Sequence, residues 1–216
     1  MNFEKTFDNA TMDYDKSRPS YPEALYNDIF QYKQVTADSH VLEIGLGTGK
    51  ASSPILITGC NFIGIEPGEK LAALAKEKLH EFDNFSCQIH TLQEFVYPND
   101  SFDLIYAATA FHWIPEEYGY TRVYDLLKSG GVFARFAYHA GYDKSNKELT
   151  EQIQSVYQEY MPREKKYKEF SEADASEHLS KLAEKYGFIN TKYSLYNITK
   201  DFTADEYMAL LRTYPD

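Results

Sequence analysis

Three glycines alternate at Gly45, Gly47 and Gly49, directly after the apolar run Val41-Leu42-Glu43-Ile44. A plain strand-to-helix turn needs one glycine; three in alternation let the backbone come close to a ligand, because any Cβ would take up its space or force a strained angle. A loop that binds pyrophosphate spaces its glycines as G-x-G-x-x-G, whereas here the third glycine comes one residue early and Lys50 stands in the expected place. Glu43, two residues before Gly45, adds a carboxylate that would repel a pyrophosphate but suits a cation such as the ammonium of an amino-acid moiety. A second apolar run ends at Glu66, 21 residues after Gly45. Nucleotide-binding βαβ units offer an acid at about this distance, where one carboxylate accepts both ribose hydroxyl hydrogens. Taken alone, the loop also reads as a tight turn and Glu66 as a solvated strand end.

These residues need a rigid frame, and the hydrophobic pattern supplies one. Short apolar runs predict strands at His40–Ile44, Asn61–Glu66, Phe85–His90, Phe102–Ala107 and Val132–Tyr138, alternating with amphipathic segments as in a parallel sheet built of βαβ units. Leu71, Leu74, Ala75 and Leu79 mark one covering helix; Tyr120, Val123, Tyr124 and Leu127 mark another, with Gly130-Gly131 as its stop. Ser20 to Glu23 and Thr203 to Glu206 have the spacing of a capping box, each ahead of a helix. Residues 139–175 break the rhythm with polar, Tyr-rich chain and one apolar stripe, Ile153, Val156, Tyr157 and Tyr160, and read as an insert. A helix through Leu179, Leu182, Ala183 and Tyr186 stops at Gly187, a sixth strand runs from Phe188 to about Tyr196, and a last helix carries Tyr207, Leu210 and Leu211.

With an acid ahead of alternating glycines, S-adenosylmethionine is favoured over a dinucleotide, and the chain resembles the class I S-adenosylmethionine-dependent methyltransferases across residues 35–137. The resemblance implies a Rossmann-like α/β fold, a mostly parallel twisted sheet with helices on both faces. It also implies that Gly45, Gly47 and Gly49 cradle the methionine half, with Glu43 in support, that Glu66 holds the ribose, and that Thr91, Leu92 and Gln93 meet the adenine. A narrower likeness, to the trans-aconitate methyltransferase-like branch, rests on Ser101-Phe102-Asp103-Leu104-Ile105, on Ala108-Thr109-Ala110-Phe111-His112-Trp113, and on Tyr14, Arg18-Pro19 and Tyr21-Pro22. It places Thr109 beside the cofactor and turns His112, as candidate base, and Trp113 toward cofactor and substrate. The other reading makes His112 a structural histidine and Trp113 packing. Tyr14, Arg18 and Tyr21 form either a lid, with Arg18 on the cofactor carboxylate and Tyr21 on the substrate side, or simple packing of the first helix. In the insert, His139 and Tyr142 are substrate-side candidates, whereas Arg163, Lys165 and Lys166 also read as a solvated face.

Length and composition narrow the function further. At 216 residues the chain fits one domain, divided as 1–34 lid and helix, 35–138 cofactor-binding core, 139–175 substrate-side insert and 176–216 helix, strand, helix. The balance of 22 basic against 33 acidic residues gives a net charge of −11, which opposes a nucleic-acid partner. Cys60 and Cys87 provide neither a disulfide framework nor a four-ligand zinc site, and no metal is expected. The first residues lack a signal-peptide core and no run is long enough to span a bilayer, so no membrane partner and a cytoplasmic location are expected. The expected activity is methyl transfer to a small molecule, possibly a carboxylate. The rivals are a cofactor-binding regulatory or partner protein without catalysis, a nucleic-acid methyltransferase and a nicotinamide oxidoreductase. In the family a final antiparallel strand lies between strands five and six; since residues 197–216 read as a turn and a helix, six strands are expected, the antiparallel one missing.

Overall fold

The computed structural model describes residues 15, 17–138, 146–160 and 171–213. Its centre is a five-stranded sheet, β1 His40–Ile44, β2 Asn61–Ile65, β3 Phe85–Gln88, β4 Phe102–Ala108 and β5 Leu127–Phe136, in the order β3-β2-β1-β4-β5. Every neighbouring pair is parallel. The order reverses between β1 and β4, so the carboxyl ends of those strands diverge into a crevice, the place where open α/β sheets bind ligands.

Period-two alternation splits the strands between two cores. Val41, Phe62, Leu104 and Tyr106 point to one face, where they meet α1 (Glu23–Tyr32), α2 (Ser53–Leu56) and α3 (Glu69–Lys78). Leu42, Ile44, Ile65 and Ile105 point to the other, under α4 (Glu116–Leu126). A sheet covered on both faces needs such nearly continuous apolar strands. After β5 the chain forms α5 (Lys147–Tyr160), α6 (Glu172–Lys185) and α7 (Ala204–Leu211). Leu182 and Ala183 of α6, with Tyr186 just beyond it, pack on the second core.

Four features depart from the sequence expectation. The sixth strand is absent among the described residues, and five strands stand where six were expected. From Phe188 onward the chain is fixed by side chains: Phe188 packs edge-on against Tyr120 and Tyr124, and Asp28 of α1 accepts the hydroxyls of Tyr196 at 2.6 Å and Ser194 at 3.1 Å. An extended segment with no neighbour to pair with cannot form a ladder. The Ser20 box does not form; Pro22 occupies the cap position of α1 without a side-chain bond. Helix α4 ends at Leu126, four residues ahead of its expected glycine stop, because Leu127 already pairs with Phe102; Gly130, at φ 74°, falls in the irregular stretch that follows. Finally, α5 buries none of its residues, its stripe leaving Val156 and Tyr160 exposed.

The second capping box forms in full, the Thr203 hydroxyl accepting from Glu206 N–H and the Glu206 carboxylate receiving the Thr203 N–H. Thr203→Ala should therefore lower stability in chemical denaturation by about 1 kcal/mol, whereas Ser20→Ala should leave it unchanged.

Candidate active-site cleft

The glycine loop follows β1 and is anchored to β2: Gly45 N–H and Leu46 N–H both donate to the Ile65 carbonyl at 3.0 Å. All three glycines adopt positive φ, 73°, 56° and 76°, a region open to glycine without strain. They differ in what a side chain would meet. A Cβ on Gly45 would lie 2.3 Å from Ala110 Cβ, one on Gly49 would lie 2.7 Å from Leu79 Cδ1, and one on Gly47 would have nothing within 4 Å. Packing within the protein thus accounts for Gly45 and Gly49, and Gly47 alone opens onto free space.

Glu66, at the end of β2, is buried and divides its carboxylate between two backbone donors: Oε2 accepts from Gly47 N–H at 2.8 Å and Oε1 from Gly68 N–H at 2.9 Å. Glu43, 1% exposed on β1, accepts the hydroxyls of Ser52 at 2.6 Å and Tyr106 at 2.7 Å on one oxygen. Burial, reinforced by the nearby Glu66, pushes its carboxyl up to about 8, against the pull of the two hydroxyls. Near neutral pH Glu43 mostly keeps its proton, and it braces β1 against β4 and the start of α2. Sequence spacing did not indicate that role.

The loop forms one wall of a narrow cleft, also lined by Arg18, Tyr21 and Tyr138, whose own volume apart from open solvent is about 30 Å³. The opposite wall is the end of β4, where Thr109 has φ 56°, a rare conformation for a β-branched residue. Its N–H donates to the Phe136 carbonyl at 2.7 Å, and its hydroxyl lies 2.7 Å from that of Tyr21. The Tyr21 ring stacks on Tyr138 at 4.8 Å, and the Tyr138 hydroxyl donates to Pro19 O. The N-terminal segment is clasped at two further points. Asp15 accepts the Thr48 hydroxyl at 2.6 Å and pairs with Lys78 at 2.8 Å and Lys50 at 3.8 Å; although burial opposes it, Lys78 and Thr48 hold its carboxyl below the ordinary value. Arg18 donates to the hydroxyl and carbonyl of Thr213, just beyond α7.

Thus Gly45, Gly47, Glu43, Thr109, Arg18 and Tyr21 come together around one cleft. Glu66 supports it through Gly47. Thr91, Leu92 and Gln93 do not line it: Thr91 N–H and hydroxyl both donate to Glu94 at 2.9 Å, Leu92 is buried in the second core and Gln93 is exposed. His112 and Trp113, rings 4.7 Å apart, sit on a 3-10 turn, Phe111–Trp113, beyond the lining residues. Partial burial, with Arg135 close by, lowers the His112 pKa and favours its neutral ring. Tyr14, His139, Tyr142, Arg163, Lys165 and Lys166 lie outside the described residues. Asp15, Thr48 and Tyr138 were missed; a lone polar residue in a loop has no periodicity or spacing to mark it.

Among the described residues no helix is long and apolar enough to cross a membrane, and no cluster of His, Cys, Asp or Glu could hold a metal. The positive-φ loop with open space at Gly47, and the acid beside it, fit a nucleoside-bearing cofactor.

A family model described as a methyltransferase domain matches residues 41–131. An uncharacterized methyltransferase of Bacillus cytotoxicus is 32% identical over 157 residues, which cover 66% of this chain and 72% of that protein. A probable S-adenosylmethionine-dependent methyltransferase of Saccharomyces cerevisiae is 32% identical over 139 residues, 62% of this chain and 46% of that protein, so the chain spans about half the length of some curated relatives. Among solved structures, Haemonchus contortus phosphoethanolamine N-methyltransferase 2, bound to phosphomonomethylethanolamine and S-adenosylhomocysteine, superposes with a TM-score of 0.59 at 20% identity, covering 85% of this chain and 42% of that one. At that identity the likeness shows a shared fold.

The glycine contacts predict a separation of effects. Gly45→Ala should cost about 3 kcal/mol of stability, since an overpacked Cβ adds to an unfavourable φ. Gly47→Ala should cost about 1 to 2 kcal/mol for φ alone and should chiefly weaken ligand binding. Denaturant unfolding paired with calorimetric titration of S-adenosylhomocysteine reads both.

Proposed function

We propose, for a chain that belongs to the class I S-adenosylmethionine-dependent methyltransferases, that it transfers a methyl group from that cofactor to a small-molecule acceptor. The observation that carries this reading is Gly47: its missing side chain leaves open space in a cleft at the switch point of the sheet, and its N–H is held by Glu66. Gly45, Gly47 and Gly49 would carry the methionine half, with Arg18 and Tyr14 on its carboxylate side and Thr109 facing it across the cleft. Glu66 would turn from Gly47 and Gly68 to the ribose hydroxyls, and the adenine would extend past the cleft toward Thr91 and Gln93, with Leu92 behind them in the second core. Glu43 would keep the loop in place from behind.

S-adenosylmethionine, when bound, supplies a methyl carbon on a positively charged sulfur, and transfer moves an acceptor lone pair onto that carbon while the carbon–sulfur bonding pair returns to sulfur. The protein's part is to align acceptor, methyl and sulfur, a proximity effect that needs no covalent step with the chain. Tyr21, stacked on Tyr138 and bonded to Thr109, would exclude water at the mouth. A carboxylate acceptor needs no base. An alcohol or amine acceptor does, and the neutral ring of His112 is the group to take its proton. Trp113, Tyr21, His139 and Tyr142 would border the acceptor, and residues 139–175 would select it. A net charge of −11 weighs against a nucleic-acid acceptor, and the likeness to the trans-aconitate methyltransferase-like branch favours a small acid.

With methyl-labelled S-adenosylmethionine and a panel of small carboxylates, phenols and amines, at least one acceptor should gain label. NAD should not bind. On an alcohol or amine, His112→Ala should lower turnover at least tenfold with cofactor affinity unchanged, since a proton acceptor acts mainly in the transition state. Cofactor binding without transfer to any acceptor would instead support a regulatory or partner protein.

A further inference from the structure

Glu43 takes no part in the transfer chemistry described above, yet it lines the cleft while being only 1% exposed. Its Oε2 receives both hydroxyls, Ser52 at 2.6 Å and Tyr106 at 2.7 Å, and its Oε1 has no hydrogen-bond partner among the described residues. Every side-chain polar atom sealed from solvent among those residues does have a partner. The little surface that Glu43 keeps therefore includes Oε1, on the cleft side.

Among the described residues no cation forms an ion pair with this carboxyl. The titratable groups packed around it are neutral or acidic: Tyr26 from α1, Tyr106 from β4, Glu66 at the end of β2 and Cys87 from β3. Burial, against the pull of Lys76 on α3 and with help from Glu66 and Glu43, pushes the Cys87 thiol up to about 11. Arg18 and Lys50 line the same cleft, but Arg18 donates to Thr213 and Lys50 faces Asp15 at 3.8 Å. A carboxyl so placed is neutral on its own, because desolvation penalises its charged form, and becomes charged when a cation comes within about 4 to 6 Å.

We propose that Glu43 is a proton-linked counter-ion for the amino-acid end of the cofactor: as the ammonium of that end settles against the glycine loop, the Glu43 carboxyl releases its proton and pairs with it as a carboxylate. This rests on the reading of the cleft as the cofactor site. The carboxyl O–H bond breaks, its electron pair stays on oxygen, and the proton passes through the cleft to water and buffer; no bond of the cofactor changes. Ser52 and Tyr106 already donate to Oε2, so the new charge is received by bonds that exist beforehand. Burial sets the carboxyl at about 8 before the ammonium arrives. Below that pH, binding has to expel a proton, and each unit of rising pH makes this about tenfold easier; above it the dependence levels off.

The test is calorimetric titration of the full chain with S-adenosylhomocysteine, an amino-acid ammonium that stays protonated across this range, in two buffers of different ionisation heat. At pH 7 close to one proton should be released per ligand bound, and affinity should rise about tenfold from pH 6 to pH 7. Glu43→Gln, which keeps an acceptor for the two hydroxyls, should release no proton and bind equally at both pH values. Tyr106→Phe removes a donor to the charged form, so its affinity should level off at a higher pH than that of the wild type, a shift that a merely structural hydroxyl would not produce and that carries the test if Glu43→Gln fails to fold. If the wild type binds S-adenosylhomocysteine with no proton release and no change between pH 6 and pH 7, the linkage is wrong and the cofactor reading stands. Equal proton release on binding 5′-methylthioadenosine, which lacks the amino-acid end, would also overturn it. Failure of the wild type to bind S-adenosylhomocysteine would remove both readings.

Discussion

The structure depends on one buried carboxylate. Glu66 joins the end of β2 to Gly47 in the middle of the glycine loop and to Gly68 ahead of α3, accepting from both backbones at 2.8 and 2.9 Å. A loop whose three glycines all have positive φ has little of its own to prefer that shape, so the acid that receives its N–H sets where it runs. Glu43 stands behind the same loop on the adjacent strand. Burial, with a smaller push from Glu66, raises the Glu43 carboxyl and favours its protonated form.

The opposite ends of the chain meet around this centre. Asp15 reaches Thr48 and Lys78, Tyr21 reaches Thr109, Arg18 reaches Thr213 and Lys200 reaches Ser17. These bonds tie the first described residues both to the glycine loop and to the segments flanking α7. Several are single hydrogen bonds between partly buried groups, each contributing about 1 kcal/mol, so the rim can rearrange while the core stays fixed. Thr109 shows where strain is tolerated: a β-branched residue holds a positive φ because its N–H, its hydroxyl and the strand behind it are all engaged.

Hydrophobic periodicity made the sheet legible, since β1, β2 and β4 are largely buried on both faces and read as apolar runs. The glycine loop and Glu66 were legible from spacing, because chemistry at a strand end repeats at a fixed distance. Other features depended on tertiary pairing. Phe188 to Tyr196 has the composition of a strand, yet a ladder needs a neighbour, and hydroxyl bonds to Asp28 fix that stretch instead. Ser20 and Thr203 have the same box spacing, but a proline sits at the cap position of the first helix and only the second box forms. The separate reasons for Gly45, Gly47 and Gly49 needed the positions of Ala110 and Leu79, which lie far from them in the chain.

The central claim is that Glu66 passes from holding the loop to holding the ligand. Calorimetric titration of S-adenosylhomocysteine into the wild type and into Glu66→Gln tests it directly, with circular dichroism and thermal melts to show that both are folded. The account predicts binding by the wild type and a loss of about ten- to a hundredfold in the variant, the scale of hydrogen bonds to a charged group. Equal affinity in the two folded proteins would contradict it.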